Sequence, residues 1–181
     1  MRNLLWRDIF EFSPGAKGCV CMTREDFAQK VVALQDTLFR VSYSLLPNRY
    51  DQEDAVQESI RIALQKLDSL REEKYFSTWM IRILIHECYN MLRKKKREFP
   101  AEEIPGSLPP DGDREVIEAL MQLDIKLRLP IVLNYVEGYT VREIAQMMRL
   151  PESTVKTRMA RGRTLARAIL EEGGMGHEAA Y

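Results

Sequence analysis

The sequence predicts an all-α protein built as two small helical domains joined by a flexible acidic linker, the C-terminal one a helix-turn-helix. Three observations carry that expectation. Apolar residues recur three and four positions apart through most of the chain. No segment alternates in the manner of a strand, and the residues that break helices gather in a few short places.

Residues 1–22 read as an extension. Ser13-Pro14-Gly15 and Lys17-Gly18 stop any helix early, and Met22 rather than Met1 is expected to be the true start, which the intact mass of the natively expressed protein would test. The opening MRNLLWRDIFEF is broken by Arg7, Asp8 and Glu11 and makes a poor signal peptide. No apolar run approaches the roughly 18 residues of a membrane span, so the cytoplasm is the expected compartment. Cys19, Cys21 and Cys88 are an odd number and give no disulfide framework. A metal or redox role for Cys19 and Cys21 lacks a second pair of ligands, and no metal or cofactor is expected.

The first domain is expected over 23–97. Phe27, Val31, Leu34, Leu38, Val41 and Leu45 repeat at helical spacing, and Pro47-Asn48 ends that helix. A second helix runs from about Gln52 to Leu67, with Val56, Ile60, Ala63, Leu64 and Leu67 facing a core. Asp54, Gln57, Glu58, Arg61 and Gln65 recur on its opposite side. Periodicity alone explains that polar face as solvated. A third helix, from Phe76 to about Lys96, is apolar around most of its circumference and ends in Arg93-Lys94-Lys95-Lys96-Arg97. Cations suit a helix C-terminus, and five of them also make a phosphate-binding patch. At its start, Trp79 is expected in the core, while Tyr75 offers a surface on which an unpaired base can stack.

Residues 98–114 include PAEEIPGSLPPDGD, a linker by composition. A second helical block follows over 115–172, with a tail at 173–181. Thr140 and Glu143 have the spacing of a capping box, Ile144, Ala145 and Met148 give an inner face, and Arg149-Leu150-Pro151 makes a turn. The next helix puts Val155, Met159, Gly162 and Ala166 inward and Ser153, Thr157, Ala160, Arg161 and Thr164 outward. The chain has a formal net charge of +0, yet no acidic residue lies between Ser153 and Leu170, where Lys156, Arg158, Arg161, Arg163 and Arg167 stand. A helix of this kind fills a DNA major groove, where Arg holds guanine with two bonds and flanking cations hold phosphates. Neutralising about five phosphates would give a salt slope near −4.5. One feature runs against the motif: such turns often hold Gly where Arg149 stands.

Four segments in order carry a resemblance: DQEDAVQESI, FSTWMIRI with its basic run, the acidic linker, and VLNYVEGYTVREIA followed by ESTVKTRMARGR. Over about Asp26 to Ile169 the chain resembles a bacterial sigma factor of the extracytoplasmic-function type, group IV of the sigma-70 family. The resemblance implies a factor that binds core RNA polymerase, directs it to promoters through −10 and −35 elements, and helps open the −10 DNA. Residues 23–97 would be sigma region 2 and 115–172 region 4. Asp54, Gln57, Glu58 and Arg61 would dock on the β′ clamp, and the β flap would be a second contact on polymerase. The segment from Asp68 to Tyr75, with Arg71, Lys74 and Tyr75, would capture a base flipped from the −10 element, recovering a few kcal/mol of unstacking. Arg82, His86, Asn90 and Arg93 would hold the displaced strand. Ser153, Thr154, Thr157, Ala160 and Arg161 would face the −35 element, with Lys156, Arg158 and Arg163 on its backbone. The linker would thread toward the RNA exit path, and an anti-sigma factor is an implied partner. The chain departs from the family pattern at His86, often Asn or another polar residue, and at Asp124, frequently Pro.

An enzyme is not expected. His86 and His177 lie in different regions, no phosphate loop or nucleophile motif appears, and His86 and Cys88 point to different helix faces. Two non-catalytic alternatives are distinguishable. A ligand-sensing regulator would bind duplex DNA as a two-fold dimer, and a polymerase-binding adaptor would survive loss of Arg161.

Overall fold

The computed structural model describes residues 22–98 and 114–177. Residues 1–21, which include Cys19 and Cys21, and positions 99–113 of the expected linker lie outside the described residues. Seven α-helices make up the described chain, with no strand among them.

Helix α1 spans Arg24–Leu45. It starts at Thr23, whose hydroxyl accepts the Asp26 N–H at 3.1 Å while the Asp26 carboxylate accepts the Thr23 N–H at 3.2 Å. That reciprocal box satisfies two donors the first turn would leave open. Phe27, Leu38, Val41 and Leu45 are buried, as the spacing predicts. Before Pro47 the backbone turns extended at Leu46, and Asn48 caps the next helix by accepting the Tyr50 N–H at 2.8 Å.

Helix α2 spans Arg49–Gln65, and its buried face differs from the expected one. Ala55, Val56, Ser59, Ile62 and Ala63 are inside, whereas Leu64 is 41% exposed. Small Ala55 and Ser59 bring α2 close to its neighbours, and the Ser59 hydroxyl is satisfied by donating to the Val56 carbonyl at 2.7 Å. Two single 3₁₀ turns, Leu67–Ser69 and Glu73–Tyr75, lead to α3, Phe76–Glu98. Met80, Ile81 and Leu84 of α3 are fully buried, each worth about 1.5–3 kcal/mol of apolar transfer. Helices α1, α2 and α3 pack on one another and form the first domain.

The second domain holds α4 (Arg114–Gln122), α5 (Ile125–Ile131), α6 (Val141–Met148) and α7 (Glu152–His177). Asp124, where the family frequently has Pro, caps α5 by accepting the Lys126 N–H at 2.7 Å. Pro130 then stands inside α5 and has no N–H for the carbonyl four residues back. Directly after it the ladder widens to one π turn, Val132–Val136, closed by Glu137 N–H to the Val132 carbonyl at 3.1 Å. Gly138, at φ 74°, takes the left-handed step that returns the chain to α6.

The two domains lie against each other. Helix α1 packs on α5 as well as on α2 and α3, and α3 packs on α6. The buried side chains of both domains form one continuous apolar cluster, from Phe27 through Met80 and Leu129 to Met159. Arg128 seals the seam: its Nη1 donates to the Ser44 carbonyl of α1 at 3.1 Å, and its Nη2 donates to the Leu123 carbonyl at 2.8 Å. Burial lowers the pKa of this guanidinium.

Candidate nucleic-acid interface

The turn between α6 and α7 is where the sequence departed from expectation. Thr140 and Glu143 form the predicted capping box, with the Thr140 N–H donating to Glu143 Oε2 at 2.8 Å and the Glu143 N–H to Thr140 Oγ1 at 3.3 Å. Ile144 and Ala145 are buried as expected, Met148 is partly buried against the same core, and Met147 joins them as a fully buried side chain. At the C-cap, Arg149 adopts the left-handed conformation at φ 54°, the backbone state that explains why Gly is common there. Arg149 accepts a strain of roughly 1–2 kcal/mol that Gly would avoid. Pro151 precedes the first residue of α7 and its carbonyl accepts the Val155 N–H at 3.1 Å.

Helix α7 crosses α5 closely because Gly162 has no side chain. A Cβ at that position would sit 2.6 Å from Ile131 Cδ1 and 3.2 Å from the Leu127 carbonyl oxygen. Val155, Met159 and Gly162 face inward. Ser153, Lys156, Thr157, Ala160, Arg161, Arg163 and Thr164 are exposed on the outer side, and Thr154 and Arg158 are partly buried. The Arg163 Nη1 donates to the Tyr135 hydroxyl at 2.6 Å, which ties α7 to the π turn. Thr157, Arg158 and Arg161 also share a cleft of about 350 Å³ with Asp124, Lys126 and Leu127. Sequence reasoning missed Lys126 and Tyr135 as neighbours of α7, since both reach it from other elements.

On α2, Asp54, Gln57 and Arg61 are exposed and Glu58 is partly so. The Arg61 Nε donates to Glu58 at 2.7 Å, which holds that carboxyl below the usual carboxylate range. These four side chains share one outward face.

The segment leading to α3 is exposed through Arg71, Lys74 and Tyr75. The Lys74 ammonium stands 4.8 Å from the Tyr75 ring centroid and pairs with Glu72 at 2.6 Å, while Tyr75 keeps half its surface in water. Trp79 packs into the core beside Phe76, as expected, although its indole N–H has no partner among the described residues. Arg82, His86, Asn90 and Arg93 follow one another on one side of α3. Asn90 Nδ2 lies 3.0 Å from His86 Nδ1, and Arg93 Nη2 donates to Asn90 Oδ1. The upper end of this row faces the second domain. Burial and the nearby Arg149 charge both lower the Arg82 pKa. Burial likewise raises the Tyr89 hydroxyl, which Arg158 pulls back down.

Two family models match the chain: sigma-70 region 2 over residues 31–98 and sigma-70 region 4 over residues 113–165. Among curated relatives, the chain is 29% identical over 170 residues to the ECF RNA polymerase sigma factor SigW of Bacillus subtilis, covering 82% of this chain and 91% of that one. It is 32% identical over 138 residues to the RNA polymerase sigma factor SigV of the same organism, covering 73% and 83%. Among solved structures it resembles the sigma factor RpoE of Bartonella quintana in its complex with the anti-sigma factor NepR, with a TM-score of 0.75, 25% identity, and coverage of 81% and 98%.

The chain is an extracytoplasmic-function sigma factor of the sigma-70 family. As a sigma factor it directs RNA polymerase to promoters for the initiation of transcription. Sigma factors are not enzymes. No helix among the described residues is long and apolar enough to cross a membrane, and none of their His, Cys, Asp and Glu side chains form a metal-binding group.

Proposed function

We propose that this sigma factor divides its work between two domains, 23–97 as region 2 and 115–172 as region 4, with 98–114 as the linker and with action in the cytoplasm. The outward face of α2 carries core binding through Asp54, Gln57, Glu58 and Arg61, engaging the β′ clamp by charge and hydrogen bonding. Arg71, Lys74 and Tyr75 receive an unpaired −10 base, with Tyr75 as the stacking surface and Lys74 as a neighbouring cation. Arg82, His86, Asn90 and Arg93 hold the displaced strand.

On α7, Thr157, Ala160 and Arg161 meet base edges of the −35 element, flanked by Ser153 and Thr154, and Lys156, Arg158 and Arg163 hold its backbone. The observation that carries the reading is this outer face, exposed and free of carboxylates from Ser153 to Leu170. Region 4 also meets the β flap, and an anti-sigma factor, as for the Bartonella RpoE, is a further partner.

The test is co-elution with sigma-free core polymerase on a sizing column. The natural chain should form a stoichiometric complex, and the double variant Asp54→Lys, Glu58→Lys should lose it while keeping its helical circular dichroism. Undiminished co-elution of that variant would remove the α2 face from the interface.

A further inference from the structure

Tyr135 is large, aromatic and 57% exposed, yet its hydroxyl is held in place. Its position follows from the π turn that carries it. A π turn holds one residue more than an α turn, so its side chains are rotated about the axis relative to an unbroken helix. The backbone on either side of Tyr135 is secured. Asn134 Nδ2 donates to the Tyr139 carbonyl at 2.7 Å. The Glu137 carboxylate is 3% exposed and accepts three bonds from α1: Arg40 Nε at 2.6 Å, Arg40 Nη2 at 2.9 Å and the Thr37 hydroxyl at 2.7 Å.

The Tyr135 hydroxyl meets α7. Gly162 lets α7 approach α5 closely, and the next residue, Arg163, donates Nη1 to that hydroxyl at 2.6 Å. The bond uses an acceptor lone pair of the phenol and leaves its proton, which has no acceptor among the described residues. A neighbouring guanidinium polarises that O–H and strengthens it as a donor. Arg163 is itself exposed, and its planar fork has further N–H groups beyond the one given to Tyr135. A cation and a polarised hydroxyl therefore stand side by side in water, neither paired with a carboxylate among the described residues.

Such a pair suits a phosphodiester oxygen, which is anionic and accepts more than one donor. The place on α7 agrees. Lys156 and Arg163 are seven residues apart and line one side of the helix, the side given above to the backbone. Tyr135 also holds the guanidinium before DNA arrives, so less side-chain freedom is lost on binding.

We propose that Tyr135 is a DNA-backbone contact, its hydroxyl and the Arg163 guanidinium forming one seat for a single phosphate of the −35 element. The proposal rests on the backbone role given to Arg163 above and adds to it a residue outside α7. A seat built from two elements fixes the tilt of α7 on the duplex as well as its register.

The test uses the full chain bound to sigma-free core polymerase, with a labelled promoter duplex selected from a random library by that natural holoenzyme. Each duplex of a series carries one uncharged methylphosphonate in place of one phosphate across the −35 element, and fluorescence anisotropy measures binding. The penalty is the ratio of affinities for unmodified and modified duplex, so any fall in a variant's folded fraction cancels. Arg163→Ala should abolish the penalty at one phosphate and so locate the seat. Tyr135→Phe keeps the ring and removes the hydroxyl. It should bind the unmodified duplex about tenfold more weakly, the scale of a hydrogen bond to a charged group, and should reduce the penalty at that same phosphate. Its salt slope should match the natural chain, since no charge is removed.

If Arg163→Ala removes the penalty at one phosphate while Tyr135→Phe leaves it at the natural value, Arg163 keeps its backbone role and Tyr135 loses the proposed one. A salt slope lowered by about one in Tyr135→Phe would mean that Arg163 has left the phosphate, which reduces Tyr135 to a positioning residue and overturns the direct contact. If Arg163→Ala leaves every penalty unchanged, the backbone role of Arg163 fails and the shared seat fails with it.

Discussion

Replacing Gly162 by Ala sets two known effects against each other. Inside a helix, Ala is favoured over Gly by about 1 kcal/mol, because Gly loses more backbone freedom on folding. At Gly162 the added methyl meets Ile131 Cδ1 at 2.6 Å and the Leu127 carbonyl oxygen at 3.2 Å. Ile131 can turn its terminal methyl aside, but it is only 5% exposed and has little free volume to enter. The carbonyl belongs to α5 and moves only if the two helices separate. Overpacking of this kind costs about 1–3 kcal/mol, so the net effect of Gly162→Ala is a loss of roughly 1 kcal/mol.

Urea unfolding followed at 222 nm measures it, with Ala160→Gly as the reference. Ala160 lies two residues away on the exposed side of the same helix, where the exchange should cost about 1 kcal/mol of propensity with no packing term. Opposite exchanges should therefore both lower the midpoint. A Gly162→Ala protein about 1 kcal/mol more stable than the natural one would refute the close crossing of α5 and α7. The same displacement should weaken binding to a −35 duplex, since it shifts α7 as a body.

Other outcomes follow from the interface itself. Arg161→Ala should cost about 1–3 kcal/mol at one base pair of the −35 element, read by comparing single-substitution promoters. A uniform loss across all of them would make Arg161 a phosphate contact. Arg149→Gly should stabilise the fold by up to about 1 kcal/mol by relieving the left-handed backbone, and so raise the thermal midpoint, whereas Arg149→Val should lower it. Equal losses from both would locate the value of Arg149 in its side chain.

The features legible in the sequence are those whose cause is local. Thr140 and Glu143 are three residues apart, and their box needs nothing from elsewhere in the chain. The outer row of α7 is equally local, being a matter of charge at helical spacing. The inner face of α2 was legible only in part, because Ala55 and Ser59 carry no strong hydrophobic signal and owe their burial to how closely the helices approach. Leu64 carries that signal and stays outside. The turn at Arg149-Leu150-Pro151 was legible, but its left-handed backbone was not, because that state is usually advertised by Gly. The π turn after Pro130 was not expected at all, since a proline in a helical pattern predicts a break and not a widened turn. Arg128 and Glu137 lie furthest from sequence reasoning, because each is bound to a backbone or side chain of α1 that no local pattern associates with it.

Helix α7 keeps its packing residues and its exposed residues apart. Val155, Met159 and Gly162 secure the helix to the body of region 4, and none of them is available to a ligand. Thr157, Ala160 and Arg161 are exposed and lie outside the buried core. Substitutions at these outer positions are therefore free to change without a folding penalty beyond a few tenths of a kcal/mol. A helix divided in this way is a natural starting point for retargeting, in which the outer residues are varied as a library while the inner ones are left alone. It also suggests how duplicated copies of such a chain could diverge in promoter choice while their scaffold stayed recognisably the same.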